Sequence, residues 1–245
     1  MPIYKQEQLP YNTQFLVWQI DEPEDWLRQD ISLTDMCINR LVTMKSSVHL
    51  KGFLSVRHLL KALGYTPAAL HYDAFGKPHL ADGKFISITH SHNFAAIAVG
   101  NNPLGIDIEK ERPKVQRIAP KFLHTLERQS QETDRYRTTQ WCIKEAAYKA
   151  FGKKGLSFLQ HIRTTQMESE HPVAAVHINE QIIELKNWIY HWPQFSCAVA
   201  LKTSKYARAY RHTLCPVYII CFCRYHTRNY SCDFWFFKCL VCQAK

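Results

Sequence analysis

The sequence predicts an α+β fold. Strand-like and helix-like segments mix throughout both halves of the first 205 residues, which is the pattern of that class. A chain of 245 residues can bury a real core, as one domain or as two compact halves. With 46% hydrophobic and 21% charged residues it has a globular composition rather than a disordered one.

Gln14 to Ile20, rich in aromatic and branched residues, is the first strand candidate. Ser47 to Leu63 reads as a helix, closed by Gly64 and followed by Pro67. Phe85 to Thr89 and Phe94 to Val99 are short strands, Asn101-Asn102-Pro103 is a turn, and Leu104 to Glu109 is a further strand. Pro120 to Arg128 and Arg135 to Phe151 have helical character, the second ending at Gly152. Strand-like runs follow at Ile162, Val173 to Ile178, Gln181 to Leu185 and Phe195 to Leu201.

Past Lys205 the character changes. Residues 206–245 hold six cysteines and ten aromatic residues, no glycine, and neither a helical nor an alternating period. They carry six Lys or Arg against the single acid Asp233, so half of the formal net charge of +10 lies there. This segment reads as standing outside the fold. The other reading is a zinc site built from Cys221, Cys223, Cys239 and Cys242. Cys37, Cys142 and Cys197, scattered through the body, read as reduced thiols rather than a disulfide framework.

The N-terminus has no basic stretch followed by an apolar core and cleavage site, so it does not read as a secretory signal. The longest clean apolar run, Val217 to Cys223, is far short of the ~20 residues of a spanning helix. The expectation is a cytoplasmic protein without a membrane span. The basic balance favours anionic partners and leaves a nucleic-acid-binding module as a competing class, although the body shows no RNA- or DNA-binding motif.

Chemistry concentrates in a few places. On a strand through Gly105-Ile106-Asp107-Ile108-Glu109, the isoleucines face one side and the carboxylates of Asp107 and Glu109 emerge together on the other. Paired carboxylates raise one another's pKa unless a cation lies between them, and oxygen ligands at this spacing suit Mg²⁺. A solvated edge strand with two surface acids would look the same. In Trp141-Cys142-Ile143-Lys144-Glu145-Ala146-Ala147-Tyr148-Lys149, helical spacing stacks Trp141, Glu145 and Lys149 on one face. That is either an ordinary exposed ion pair or a third carboxylate with a lysine one turn away to face phosphate. Thr89 and His90 close a strand, where they are placed to donate to phosphate, and Gly76-Lys77-Pro78 is a turn that presents Lys77. Arg57 falls within the apolar arc of Leu50, Phe53, Leu54 and Leu60, so its guanidinium must meet an anion or reach water.

In order and spacing, the run of Gly76-Lys77-Pro78, Ile88-Thr89-His90-Ser91, the G-I-D-x-E strand and the W-x-x-K-E-x-x-x-K helix some 30 residues on resembles the 4′-phosphopantetheinyl transferase superfamily. By length the chain is similar to the double-length branch that activates surfactin synthetase. The resemblance implies two similar α+β halves about a pseudo-twofold axis, residues 1–104 and 105–205, with coenzyme A between them. It implies a single-chain pseudodimer that moves phosphopantetheine from coenzyme A to a serine of an acidic acyl or peptidyl carrier protein. By motif, Asp107, Glu109 and Glu145 are implied as Mg²⁺ ligands. Lys149 and His90, with Thr89 beside them, are implied on the pyrophosphate, and Lys77 and Arg57 near the 3′-phosphate and adenine. Glu145 and Lys149 carry the implied catalytic roles of base and charge stabiliser. Thr89 and Ala146 stand where serine is commoner, and neither change removes a ligand. A relative that binds the coenzyme or the carrier without transferring is the alternative within the family.

Overall fold

Two antiparallel sheets lie face to face, each with a helix on its outer side. The computed structural model describes residues 3–130, 132–203 and 208–209. In chain order the first part gives β1 (Ile3–Leu9), β2 (Thr13–Gln19), α1 (Glu24–Leu27), α2 (Asp35–Thr43), α3 (Ser47–Ala62), β3 (Leu70–Tyr72), β4 (Pro78–Leu80), β5 (Phe85–Ser91) and β6 (Phe94–Gly100). The second gives β7 (Leu104–Lys110), α4 (Lys114–Ile118), α5 (Asp134–Phe151), α6 (Phe158–His161), β8 (Ile162–Thr165), β9 (Val173–Ile178), β10 (Gln181–Trp192), β11 (Phe195–Lys202) and β12 (Arg208–Ala209). One sheet has the order β1-β2-β6-β5, the other β7-β11-β10-β9-β8 with β12 on β10; β3 and β4 form a separate hairpin. Apart from β12, the Cys- and aromatic-rich segment past Lys205 lies outside the described residues.

The alternation of side chains builds the layers. In β2, Leu16 and Trp18 face a core shared with α3, while Phe15 and Val17 face the other sheet. In β6, Ala95, Ile97 and Val99 take the first side and Phe94, Ala96 and Ala98 the second. Strands buried on both faces read as continuous apolar runs, as Phe94 to Val99 does. Ile106 and Ile108 of β7 and Cys197, Val199 and Leu201 of β11 complete the core between the sheets. On the far side, Ala198 and Ala200 pack under Cys142, Ile143, Ala146, Ala147 and Ala150 of α5.

The helix ends follow from local chemistry. Ser46 and Thr133 cap α3 and α5 with their hydroxyls, and α5 stops at Gly152 in the left-handed region (φ 72°). At Gly105 the helix comes so close that a Cβ would stand 1.9 Å from the Ala146 carbonyl oxygen and 2.8 Å from the Ala150 nitrogen. Glycine there is a packing requirement of β7 against α5.

The helix expected over Pro120 to Arg128 does not form. That stretch holds two single 3₁₀ turns, Ala119–Lys121 and Thr125–Glu127, because its polar groups turn inward to a buried lysine. Lys144 is fully buried, and its ammonium donates to Glu127 Oε2 (2.6 Å) and to the carbonyls of Phe122, Ile162 and Phe158. A Phe122 carbonyl committed to Lys144 is not free to continue a helix. Glu127 also accepts from the amides of His124 and Thr164, which fills both of its oxygens. Burial pulls the Lys144 ammonium down to about 8, against the attraction of Glu127. The strand expected at Gln181 to Leu185 runs on to Trp192, since β10 keeps pairing with β11 along that length.

Two outcomes follow from this packing. Gly105→Ala should cost about 1–3 kcal/mol by overpacking, lowering the thermal midpoint by roughly 2–4 °C per kcal/mol. An unchanged midpoint by calorimetry would contradict the close approach. Lys144→Met should cost about 3–5 kcal/mol by leaving Glu127 buried without its cation. In urea unfolding, the double variant Lys144→Met with Glu127→Gln should lose less than the two single losses together. Additive losses would show that the pair is not coupled.

Candidate active site at the junction of the two sheets

β5 and β7 are edge strands of different sheets, and they meet through hydroxyl groups. Period two puts Ser87, Thr89 and Ser91 on the face of β5 that looks toward β7. Ser87 Oγ accepts from the Ile106 amide (3.0 Å) and Thr89 Oγ1 from the Ile108 amide (3.4 Å), satisfying edge donors that no strand pairs. Thr89 Oγ1 donates in turn to Asp107 Oδ1 (3.1 Å), and Ser91 Oγ donates to Glu109 Oε2 (3.0 Å). Side chains of one sheet therefore orient the carboxylates of the other.

α5 closes the site from above. Lys149 Nζ donates to Asp107 Oδ1 (2.8 Å) and to the Ile106 carbonyl (2.9 Å). Asp107 is only 4% exposed, and its Oδ2 is buried without a hydrogen-bond partner among the described residues. Asp107 and Glu109 thus share the side of β7 away from the core that holds Ile106 and Ile108, as the alternation predicts, with Asp107 buried beneath α5 and Glu109 half-buried. Glu145 is buried, and its carboxyl is pushed up to about 8, first by desolvation, then by Asp107 and Glu109, against the pull of Lys149. Burial alone would lower Lys149, but Asp107 and then Glu145 raise it. The arrangement is a carboxylate cluster compensated by one ammonium. Among the described residues no three His, Cys, Asp or Glu side chains stand gathered around a metal-sized position.

The opposite face of β5 carries Ile86 and Ile88 into the α3 core and His90 onto α3 itself. A Cβ at Gly52 would be 3.3 Å from His90 Cγ, so the glycine lets the ring lie on the helix. His49 of α3 is 5.4 Å away, ring to ring. Burial, then the repulsion of His49 and Lys149, brings the His90 imidazole down to about 4, so it is neutral at pH 7. Thr89, Asp107, Glu109, Glu145 and Lys149 thus belong to one junction, and His90 lies on the other face of β5 within the electrostatic reach of Lys149.

Lys77 and Arg57 lie outside this set of bonds. Lys77 lies at the C-terminal end of α5, about one turn past Lys149, where a Cβ on Gly152 would be 2.1 Å from its Nζ. With His79, Lys84, Phe85, Leu104 and Ala150 it lines an open recess. Arg57 is 3% exposed, with Nη1 donating to the Phe53 carbonyl (3.2 Å), Nη2 to Cys37 Sγ (3.7 Å), and its plane over the Phe53 ring. Among the described residues these contacts lie on α2 and α3, away from the junction.

Sequence reasoning did not single out Ser87, His49 or Glu127. The S-x-T-x-S alternation of β5 was a readable signal for the hydroxyl row; nothing local marks His49 or Glu127. A second recess, bounded by Glu109, Lys110, Arg112, Val115, Ile118 and Trp141, opens beside Glu109. Among the described residues no helix is long and apolar enough to cross a membrane.

Residues 103–211 match the family model described as the 4′-phosphopantetheinyl transferase superfamily. A 4′-phosphopantetheinyl transferase of Bacillus subtilis is 38% identical over 109 residues, covering 40% of this chain and 47% of the relative. The 4′-phosphopantetheinyl transferase gsp of Aneurinibacillus migulanus is 33% identical over 87 residues, covering 32% of this chain and 36% of the relative. The chain spans about half the length of the first relative and about a third of the second. The matched stretch holds β7 and α5 with Asp107, Glu109, Glu145 and Lys149, so it is this part of the chain that is similar to the 4′-phosphopantetheinyl transferase superfamily.

Proposed function

We propose that this protein transfers the 4′-phosphopantetheine group of coenzyme A to a serine of an apo acyl or peptidyl carrier protein, releasing 3′,5′-ADP. The observation that carries the reading is the ion pair of Lys149 with the buried Asp107 (2.8 Å), beside the buried Glu145 and inside the stretch that matches the transferase superfamily. Residues 1–104 and 105–205 would act as the two halves of one chain, working in the cytoplasm with the coenzyme at their junction. The main body carries half of the +10 charge, a mild excess that suits an anionic coenzyme and an acidic carrier.

The donor set suits Mg²⁺. Carboxylate oxygens are hard ligands, and the buried, partnerless Asp107 Oδ2 is an atom that a cation would satisfy. Asp107, Glu109 and Glu145 would hold the ion, whose chemistry when bound is to neutralise charge on the pyrophosphate and the leaving group. The protein's own groups do the rest. Thr89 and Ser91 keep the two β7 carboxylates in place. Lys149 stays cationic and stabilises negative charge on the departing phosphate. Glu145, once ionised, would accept the proton of the carrier serine. Neutral His90 can donate a ring N–H to a phosphate oxygen, and Lys77, beside Lys84 and His79, offers cationic surface to the nucleotide end.

Incubation with coenzyme A, Mg²⁺ and a panel of apo-carrier proteins should give a carrier whose mass rises by one phosphopantetheine. Asp107→Ala and Glu145→Ala should lower that rate by about 100-fold or more while the protein stays folded, and EDTA should stop it reversibly. Transfer undiminished in EDTA or in the Glu145→Ala protein would sink the assignment.

The raised Glu145 carboxyl gives a separate check with a definite sign. A group moved from 4.5 to about 8 keeps its proton at pH 7, so a dication must displace that proton to use the carboxylate. Mg²⁺ affinity should therefore rise as pH approaches 8. Calorimetry at pH 7 in buffers of different ionisation heat should show close to one proton released per ion. Binding with no proton released would remove Glu145 from the ligand set.

A further inference from the structure

We propose that His71 and His79 form a metal site on the β3–β4 hairpin, a two-imidazole chelate for a divalent transition-metal ion such as Zn²⁺, with Asp73 orienting His79. Register brings the two rings together. β3 and β4 are antiparallel, and His71 pairs with His79. Directly opposed residues point to one face with their Cβ atoms about 4.5–5.5 Å apart, so the two imidazoles share one volume. The rings lie 5.6 Å apart, centre to centre, and within 21° of parallel. His71 is exposed and the His79 side chain is 42% exposed, so an ion from solvent reaches both.

Asp73, two residues after His71, lies on the same face of the hairpin. Its Oδ1 accepts from the amides of Phe75 (2.8 Å) and Lys77 (2.9 Å), which fixes the carboxylate on the turn. Its Oδ2 accepts from His79 Nε2 (3.2 Å). A carboxylate only accepts, so in the neutral ring Nε2 carries the proton and Nδ1 the lone pair. Metal-ligating histidines are held in this way, because a carboxylate on the other nitrogen fixes the tautomer and makes the ligand more basic. Among the described residues no side-chain hydrogen bond engages the His71 ring. The torsion that turns an imidazole about its Cβ–Cγ bond is soft, so the stacked rings can each turn one nitrogen toward a common ion. Their spacing is set beforehand by backbone bonds on either side of the pair, Asp73 to Lys77 (3.0 Å) and Ala81 to Ala69 (2.9 Å).

Ligand type chooses the ion. Neutral imidazole suits Zn²⁺, Ni²⁺ or Cu²⁺, whereas Mg²⁺ prefers oxygen. The hairpin therefore takes a different ion from the β7 carboxylates. Water completes the coordination left open by two protein ligands. An ion held there ties together the two strands whose turn presents Lys77.

The test titrates the full chain with Zn²⁺ by calorimetry, in excess Mg²⁺, and compares it with His71→Ala, His79→Ala and Asp73→Asn. The native chain should bind one equivalent more than either histidine variant; zinc taken up elsewhere is common to all and drops out of the difference. Asp73→Asn keeps an oxygen for the turn amides but can present an amide N–H to His79 in place of the acceptor. It should weaken that equivalent by about 10–100-fold. Without zinc the variants should share the native thermal midpoint. With zinc the native midpoint should rise above that of His71→Ala, since the ion binds the folded hairpin. Equal stoichiometry in the native chain and both histidine variants overturns the site. Loss in His79→Ala alone leaves a single imidazole and overturns the chelate. No coenzyme or carrier enters the measurement, so its outcome is independent of the transferase reading.

Discussion

The outer edge of β7 is the constraint from which the site derives. An edge strand buried at a junction has amides that must find acceptors, and here no strand is available on that side. Ser87 and Thr89 of β5 supply hydroxyls in place of carbonyls. A carbonyl could only accept, whereas a hydroxyl accepts from the amide and still has a proton to give. Thr89 gives that proton to Asp107, so the bond that closes the sheet edge also orients a functional carboxylate. Joining two sheets and building the site are one act.

α5 shows how the same residue types are put to opposite uses within six positions. Lys144 points away from the junction into a cage of one carboxylate and three carbonyls, where desolvation prevails and its ammonium is pulled down. Lys149 points at β7, where two carboxylates outweigh its burial and hold it charged. Between them Glu145 faces like charges and becomes a weak acid. The first lysine anchors the loop before the helix; the second compensates the cluster that the helix covers. The close seating of α5 on Gly105 lets both reach their partners.

Much of this was legible in the chain. Leu104 to Glu109 and Arg135 to Phe151 could be read as strand and helix because their periods are sustained and their ends marked, and the spacing of Asp107, Glu109, Glu145 and Lys149 was visible as a motif. β1 escaped the reading because its apolar residues are diluted by Lys5, Gln6 and Gln8 at an exposed sheet edge. The β3–β4 hairpin is too short to show a period. The stretch around Pro120 misled because its composition suits a helix while its Phe122 carbonyl and Glu127 carboxylate belong to Lys144.

By itself the sequence determined what local chemistry dictates: the α+β class, the alternation that splits β5 into a hydroxyl face and an apolar face, the caps of α3 and α5, and the grouping of acids and bases on β7 and α5. Only the tertiary structure decided what depends on approach between distant segments. It placed Asp107 under a helix rather than in solvent, gave Lys144 its partner 17 positions away, kept Arg57 within the α3 core, and set His49 against His90. Periodicity and capping are properties of neighbouring residues. Burial, ion pairing and pKa are properties of the space that two elements enclose together, and that space exists only once β5, β7 and α5 have met.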